Sequence, residues 1–466
     1  MGGECSGRLV GEKVKMTKNG EVTKYTYIDL FAGCGGLSLG LMKAGWKGLF
    51  AVEKDSHAFA TLKHNLITYT DEPKFEWPNW LPVETHDVTT FASNYEDELK
   101  KLQGTVTMVA GGPPCQGFSL RGKRDINDKR NRLFEHYLSV VELVSPALVL
   151  LENVHGIAVP FGQETTHKDN KKAKPTVAEE IAEALDKLNY EVYNSLVDTS
   201  AYGVPQSRSR YIMIGVKKSY LCSDSLRNIT DDPFSILEEL RDGFVRGKGL
   251  SADKAITAQV ALSDLERKRG EQECKGYPRF QEGVYGLLSG SYQQLMRTNR
   301  DGTISSRKIP DSHRFANHRE STIKNFEKLM KCERGVQLSR EDRERLGVGN
   351  HDTIPLAPDK PCHTLTTLPD DCLHYSEPRI FTVREYARVQ SFPDWFEFCG
   401  KYTTGGKARK NECPRYTQVG NAVPPLLGEA LGLALKLFLV KLCLTVTPIM
   451  PNEIYDLCLE PSRRGK

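Results

Sequence analysis

The fold is decided by residues 27–41, YIDLFAGCGGLSLGL, where a short apolar strand passes into a helix through a turn with three closely spaced glycines. Gly33, Gly35 and Gly36 permit positive φ and let a ligand approach the backbone at the start of the helix. The spacing lacks the third glycine of the dinucleotide fingerprint GxGxxG. The stretch therefore predicts a nucleotide-type strand–turn–helix unit that does not hold a dinucleotide.

Outward from this turn, apolar runs alternate with amphipathic helical stretches between Tyr25 and Val216. In the helical stretches, apolar residues recur at steps of three and four. This alternation predicts an α/β fold, a doubly wound Rossmann-like sheet with parallel strands. The predicted strands are TYIDLF, GLFAVE, VTMVAGG, ALVLLENV, YEVYNSLV and RYIMIGV.

Two acidic residues follow the glycine turn at positions suited to a bound adenosine. Glu53 ends the next strand, where a carboxylate accepts hydrogen bonds from both ribose hydroxyls. Asp87 is expected at a third strand end, where it accepts from an adenine amino group. Either residue alone also fits a surface or helix-capping role, so it is their order along the chain that favours adenosine.

The segment GGPPCQGFS, residues 111–119, fixes a cysteine behind two prolines. Because proline locks φ, the turn is rigid and aims Cys115 out of a strand end. A thiol there serves as a nucleophile if its thiolate is stabilised, and a small buried side chain is the alternative. The next residues, 119–134, carry six cationic side chains against two acidic ones, which fits a basic lid over an anionic polymer or a solvated surface loop.

Two more motifs add polar groups to this set. In LLENV, Glu152 ends an apolar strand, where burial would raise its pKa and make it a proton donor, unless it faces solvent. In QSRSRYIMIG, Arg208 and Arg210 alternate along a strand and so point to one face. Two guanidinium groups on one face suit carbonyl or phosphate oxygens.

Taken in order, DLFAGCGG, VEKD, GGPPCQGFS, ENV and QSRSR, then TVREYARVQSFPD and QVGNAVPP, resemble the motif series of DNA (cytosine-5) methyltransferases of the compact restriction-modification type. The resemblance runs from Tyr27 to about Leu435. It implies methyl transfer from S-adenosylmethionine to C5 of a flipped cytosine in duplex DNA, without a metal. In this scheme Cys115 attacks C6, and Glu152 protonates N3. Arg210, aided by Arg208, binds O2.

The resemblance also implies two larger sets of contacts. The cofactor-binding residues would be Phe31, Gly33, Cys34, Gly36, Glu53, Asp87, Val88, Pro114, Leu133, Asn421 and Val423. The loop that closes behind the flipped base would contact DNA through Ser119, Arg121, Lys123, Arg124, Arg130 and Arg132.

The change of character after Lys217, where strands become hard to find, predicts a second, smaller, irregular domain. The resemblance makes it the target-recognition domain, organised by a motif that contains Arg384 and Arg388, which could equally form salt bridges at a domain junction. The run EALGLALKLFLVKLCL predicts an amphipathic helix that packs back onto the first domain. The expected divisions are a flexible arm (1–24), the catalytic domain (25–216), the recognition domain (217–377), a junction (378–417), a returning segment (418–445) and a tail (446–466).

Bulk properties limit the partners and the compartment. The net charge of +4 is too small to indicate a nucleic-acid-binding protein by itself, so any basic surface must be confined to one part of the protein. The 12 cysteines include no CxxC pair, which disfavours a zinc ribbon and a disulfide scaffold. With no apolar run of membrane length, the expected protein is cytoplasmic on a prokaryotic chromosome, or nuclear in a eukaryote. We expect a monomer on double-stranded DNA, and a cognate restriction endonuclease that acts separately.

Two other functions stay open at this point. The same motifs occur in relatives that methylate a cytosine in transfer RNA, although the long middle domain favours DNA. A catalytically inactive partner that only grips DNA is the second alternative, and the presence of Cys115, Glu152 and Arg210 speaks against it.

Overall fold

The computed structural model describes residues 25–114, 132–159, 175–221, 232–348, 353–403 and 412–443. These residues form one large sheet, three two-stranded sheets and the helices that surround them. The strands are β1 (Thr26–Leu30), β2 (Lys47–Val52), β3 (Met108–Gly111), β4 (Leu148–Asn153), β5 (Tyr190–Asp198), β6 (Gln206–Ser207), β7 (Ser209–Lys217), β8 (Glu271–Glu273), β9 (Gln281–Gly283), β10 (Ile354–Pro355), β11 (Cys362–His363) and β12 (Cys372–Leu373). The helices are α1 (Gly36–Lys43), α2 (Ser56–Lys63), α3 (Val88–Asn94), α4 (Glu96–Lys101), α5 (Leu133–Val144), α6 (Val177–Lys187), α7 (Pro233–Gly247), α8 (Ala258–Leu262), α9 (Ser291–Arg297), α10 (Glu320–Leu329), α11 (Arg340–Leu346), α12 (Val383–Val389), α13 (Arg415–Asn421) and α14 (Pro425–Cys443).

The large sheet has six strands in the order β2-β1-β3-β4-β7-β5. The first four are parallel, whereas β7 runs antiparallel to both β4 and β5. The predicted doubly wound α/β core is confirmed, but the expectation of parallel strands is wrong at β7. The cause is the short connection, residues 199–208, between β5 and β7, because a parallel crossover needs a dozen or more residues.

Helices cover both faces of this sheet, and the alternation of side chains along β1 shows how. Tyr27 belongs to the hydrophobic core beneath α1, α7 and α14, while Ile28 belongs to the core beneath α3, α5 and α6. Both side chains are fully buried. Since successive residues of a strand point to opposite faces, one strand sequence serves two cores. Helix α7, which follows the sheet in sequence, packs against α14 and β5.

The C-terminal helix α14 packs against α1 and α7. It returns to the first domain's core as predicted, but it is not amphipathic, because its residues are buried on nearly every side. The approach to α1 is close: a Cβ on Gly40 would lie 2.5 Å from the carbonyl oxygen of Pro425. The stretch Arg415–Leu442 is long and apolar enough to cross a membrane, but 78% of its most apolar window is buried within the protein, as in a core helix.

Short strands and helices make up the region between α7 and α12, and buried charges hold this region to α12. The Arg388 guanidinium lies between the carboxylates of Asp264 and Asp394, and Arg384 pairs with Asp311 at 3.1 Å. Arg384 and Arg388 are fully buried. Both therefore form the salt bridges that the sequence pattern suggested.

Candidate active site

A cavity of about 250 Å³ opens at the carboxyl ends of β1 to β4. The neighbouring strands β1 and β3 lead to helices on opposite faces of the sheet, α1 and α5, which makes this edge a topological switch point, where α/β folds bind ligands. All of the predicted cofactor-binding residues line this cavity, and so do Glu152, Arg208 and Arg210. The structure thus brings the predicted cofactor-binding residues and three of the four predicted catalytic residues to one place, and the fourth, Cys115, lies outside the described residues.

The glycine turn forms the floor of the cavity. Gly33 and Gly35 have φ of 56° and 95°, in the left-handed region that favours glycine. Gly36 faces the chain that precedes α14, and a Cβ there would lie 2.3 Å from the carbonyl oxygen of Val423. Helix α1 has no side-chain cap, so the amides of its first turn are available to a ligand.

Glu53 lies at the end of β2, as predicted, and its carboxylate is already hydrogen-bonded. The backbone N–H of Gly33 donates to one oxygen at 2.9 Å, and that of Asp55 donates to the other at 2.7 Å. Burial raises the pKa of Glu53, and the backbone hydrogen bonds partly offset this. Each oxygen keeps a lone pair, so the carboxylate is fixed in position yet able to accept ribose hydroxyls.

Asp87 is not at a strand end, and that part of the prediction is wrong. The segment after β2 passes through His86, whose backbone N–H donates to the Glu53 carbonyl, and Asp87 then caps α3 by accepting from the backbone N–H of Thr89. The position of Asp87 is explained by helix α3, which begins at the next residue, because aspartate is a strong N-cap residue. Burial acts to raise the pKa of Asp87, but the hydrogen bonds from Thr89 outweigh it and the net shift is downward.

Glu152 of β4 and Arg210 of β7 lie at the far wall of the cavity, two residues out of register on neighbouring antiparallel strands. Their side chains form an ion pair with 2.5 Å between Arg210 Nε and Glu152 Oε1, and both are buried. Burial raises the pKa of Glu152, and the charge of Arg210 partly offsets this. The wall thus holds a carboxyl group with elevated proton affinity beside a fixed cation.

Asn153, the residue after Glu152, positions the proline turn. Its Nδ2 donates to the carbonyl oxygen of Pro113 at 3.0 Å. Gly112 leaves room beside Glu152, since a Cβ there would lie 3.1 Å from a carboxylate oxygen. The ENV and GGPP motifs are therefore in direct contact, although they lie on different strands.

Arg208 makes different contacts from Arg210. It lies in the link between β6 and β7, and its guanidinium donates to the carbonyl oxygens of Leu365 at 2.8 Å and Gly420 at 2.9 Å. Both carbonyls come from segments far along the chain. Arg208 therefore ties the cavity wall to the residues before α12 and to α13.

Part of the predicted site lies outside the described residues. These positions are Cys115, Ser119, Arg121, Lys123, Arg124 and Arg130. Arg132, the one predicted DNA contact within the described residues, is exposed and pairs with Glu135 on α5.

The cavity also contains residues that the sequence interpretation missed. Asp29 is fully buried beside the glycine turn, where the Ser38 hydroxyl donates to it at 2.5 Å and burial raises its pKa to about 7. Gln418 accepts from the Thr61 hydroxyl at 2.7 Å and donates to the carbonyl of Cys413 at 3.0 Å. Asp29 lies within the quoted stretch YIDLFAGCGGLSLGL and Gln418 within QVGNAVPP, so their place in these glycine-containing motifs was the available signal. Among the described residues, no cluster of His, Cys, Asp or Glu could hold a metal ion.

Comparison with known proteins gives a consistent result. A family model described as C-5 cytosine-specific DNA methylase matches residues 25–437. The Type II methyltransferase M.DdeI of Desulfomicrobium norvegicum is 33% identical over 87% of this chain and 87% of its own length. The Type II methyltransferase M.XorII of Xanthomonas oryzae pv. oryzae is 31% identical over 88% of this chain and 84% of its own. A solved structure of an E. coli prophage protein, assigned as a DNA modification methyltransferase, shares the fold with a TM-score of 0.56 at 23% identity, covering 89% of this chain and 99% of that one.

Proposed function

Because the chain belongs to the family of C-5 cytosine-specific DNA methylases, we propose that it methylates C5 of a flipped cytosine in duplex DNA by covalent catalysis through Cys115. Its class of activity, DNA (cytosine-5) methyltransferase, follows from that membership. The observation that carries the assignment of the reacting pocket is the buried Glu152–Arg210 ion pair, in the same cavity as the glycine turn.

The residues that line this part of the cavity fit S-adenosylmethionine, which would supply an electrophilic methyl group when bound. Glu53, oriented by Gly33 and Asp55, would accept the ribose hydroxyls, and Asp87 would accept from the adenine amino group. The uncapped first turn of α1 would hold the carboxylate end. The remaining contacts would be Phe31, Cys34, Gly36, Val88, Pro114, Leu133, Asn421 and Val423.

At the far wall, the protein would act on the base. The carboxyl group of Glu152, whose pKa is raised by burial, would hold a proton at N3 and accept from the exocyclic amine. Arg210 would donate to O2, and Arg208 would keep that wall in place through its bonds to Leu365 and Gly420. The Cys115 thiolate would add to C6, which makes C5 nucleophilic, and C5 would then gain the methyl group. Loss of the C5 proton would expel the thiolate from C6 as the C5–C6 double bond forms again.

The DNA-facing parts are proposed on the same basis. Ser119, Arg121, Lys123, Arg124, Arg130 and Arg132 would contact the DNA backbone behind the flipped base. Residues 217–377 would form the recognition domain, although the packing of α7 on the sheet favours a start after that helix. We further propose a monomer acting on the chromosome in a prokaryotic cytoplasm. A cognate endonuclease would act separately, as the Type II names of the relatives suggest.

The test is methyl transfer from tritiated S-adenosylmethionine to unmethylated duplex DNA and to bulk transfer RNA. We expect label on DNA with the wild type and none with Cys115→Ser, since serine at this position is a far weaker nucleophile. Label on RNA alone, or equal label on DNA with Cys115→Ser, would contradict the proposal. Binding of S-adenosylhomocysteine by both proteins, measured calorimetrically, shows that the variant is folded.

A further inference from the structure

Gln206 and Gln390 form a pair of buried side-chain amides behind the active-site cavity. Gln206 lies on β6, Gln390 directly follows α12, and both side chains are fully buried. Gln206 Nε2 donates to Gln390 Oε1 at 2.8 Å. Because an amide group without a partner is costly in the protein interior, the remaining partners of each amide fix the direction of this bond.

The oxygen of the Gln206 amide is bonded on the side of the wall that contains Glu152 and Arg210. It accepts from the backbone N–H of Leu365 at 2.8 Å, and the Leu365 carbonyl accepts from Arg208 at 2.8 Å. Arg208 lines the cavity, two residues before Arg210 on the same stretch of chain. Gln206 is therefore connected to this wall through Leu365 and Arg208.

Gln390 is bonded to the 419–423 segment, which ends α13 and leads to α14. Its Nε2 donates to the carbonyl oxygen of Val419 at 2.9 Å. Arg208 donates to the carbonyl oxygen of Gly420, the next residue, at 2.9 Å. The hydrogen bonds thus form a closed ring that joins the 419–423 segment, part of which lines the cavity, to the wall beside Arg208.

The two sides of the cavity belong to different parts of the fold. Glu152 and Arg210 lie on β4 and β7, so the large sheet holds them. The 419–423 segment lies outside that sheet and carries Asn421 and Val423, two of the proposed cofactor contacts. The hydrogen-bonded ring is therefore a direct link between the proposed cofactor site and the wall that would bind the base.

We propose that Gln206 and Gln390 are positioning residues that align the cofactor side of the cavity with the wall that binds the base. They would act through the 419–423 segment and Arg208, without touching either ligand. Breaking the pair should leave each side of the site intact but misaligned, and a displacement of about 1 Å can slow a reaction about 10²-fold. This inference rests on the proposed function, since it takes methyl transfer to a base as the reaction.

Gln206→Glu breaks the pair with the smallest change of shape. The new carboxylate keeps an oxygen for the Leu365 N–H and attracts Arg208, whose Nη1 lies 3.4 Å from that oxygen in the wild type. It has no N–H to donate to Gln390. Either the Gln390 oxygen loses its donor, or the amide turns over and gives up its bond to Val419.

The test compares two reactions of the full-length protein on long duplex DNA that carries tritium at C5 of its cytosines, in single turnover at saturating cofactor. With S-adenosylmethionine, methylated cytosine is counted by mass spectrometry. With S-adenosylhomocysteine instead, the Cys115 thiolate would add to C6 and a solvent proton to C5, and loss of tritium from C5 would then expel the thiolate. Tritium in the water therefore reports the thiol and the base-binding wall without any methyl transfer.

Gln206→Glu should slow methyl transfer by about 10²-fold and leave tritium release near that of the wild type. Gln390→Met, which removes both polar groups of the other amide, should show the same split and serves if the first variant does not fold. Equal slowing of both reactions, or no slowing of methyl transfer, would overturn the proposal. If the wild type carries out neither reaction, the proposed function itself fails, which is a distinct result.

Asn65→Asp is the matched control, because it makes the same exchange of amide for carboxylate at another fully buried side chain. Asn65 Nδ2 donates to the carbonyl oxygen of Glu397 at 2.7 Å, and neither residue lines the cavity. The control should lower the melting temperature and leave the ratio of the two rates unchanged. A ratio that falls as far in the control as in Gln206→Glu would contradict a specific role of the glutamine pair.

Discussion

Replacing Arg388 by methionine removes the cation at the centre of the buried charge network that joins α12 to Asp264. The guanidinium donates to Asp264 at 2.8 and 3.1 Å, to Asp394 at 2.8 and 2.6 Å, and to the Ala261 carbonyl at 2.9 Å. Methionine fills a similar apolar volume but offers none of these donors. The variant therefore leaves two carboxylates, both almost fully buried, without their main partner.

The expected cost is about 3–5 kcal/mol of unfolding free energy, which is the usual effect of removing one partner from a buried pair. The cost depends on pH. Burial alone would raise the pKa of Asp394, but Arg388 and Arg384 bring it below its usual range, so this group stabilises the wild type at neutral pH and loses that effect as pH falls. Without Arg388, the Asp394 carboxylate holds its proton at higher pH. The difference between the two proteins should therefore shrink as pH is lowered from about 7.5 toward about 5.

The assay is urea unfolding followed by tryptophan fluorescence at both pH values, since Trp395 lies directly after Asp394. Arg241→Met is the control: its partners Glu238 and Asp242 are exposed, so we expect a loss below about 1 kcal/mol. A loss for Arg388→Met as small as that of the control would refute the reasoning. So would a difference that grows on acidification.

Two further predictions concern the cavity. Gly36→Ala should abolish measurable S-adenosylhomocysteine binding in calorimetry, because its Cβ would lie 2.3 Å from the Val423 carbonyl oxygen and force the cavity wall to move. Gly290→Ala is the control and should bind normally, since a Cβ there would have nothing within 4 Å. Equal binding by both variants would show that the turn is not part of the cofactor site. Glu152→Gln should reduce methyl transfer by about 10²–10⁴-fold, with S-adenosylhomocysteine affinity unchanged. It should also remove the loss of rate that we expect in the wild type as rising pH deprotonates Glu152; a rate near that of the wild type would exclude Glu152 as the proton donor.

The sequence predicted those parts of the site that depend on local chemistry. Gly33, Glu53 and Glu152 lie where the strand and turn patterns placed them, because glycine turns and strand ends are determined by neighbouring residues. The doubly wound core followed from alternating apolar runs for the same reason.

The features that sequence reasoning missed depend on distant segments. Arg208 donates to the carbonyl oxygens of Leu365 and Gly420, more than a hundred residues away, so its position in the strand pattern could not predict these contacts. Helix α14 is buried on nearly every side because α1 and α7 both pack on it, and one helix sequence does not show how many neighbours it has.

The most direct test of the central claim is a covalent trap on DNA that carries 5-fluorocytosine in place of cytosine. Fluorine at C5 cannot leave as a proton, so the bond between the Cys115 sulfur and C6 should persist after methyl transfer. We predict a protein–DNA adduct that survives denaturing electrophoresis, forms only with S-adenosylmethionine, and maps to Cys115 by mass spectrometry. Methylation of ordinary DNA without any adduct on the fluorinated DNA, or an undiminished adduct with Cys115→Ser, would contradict the account.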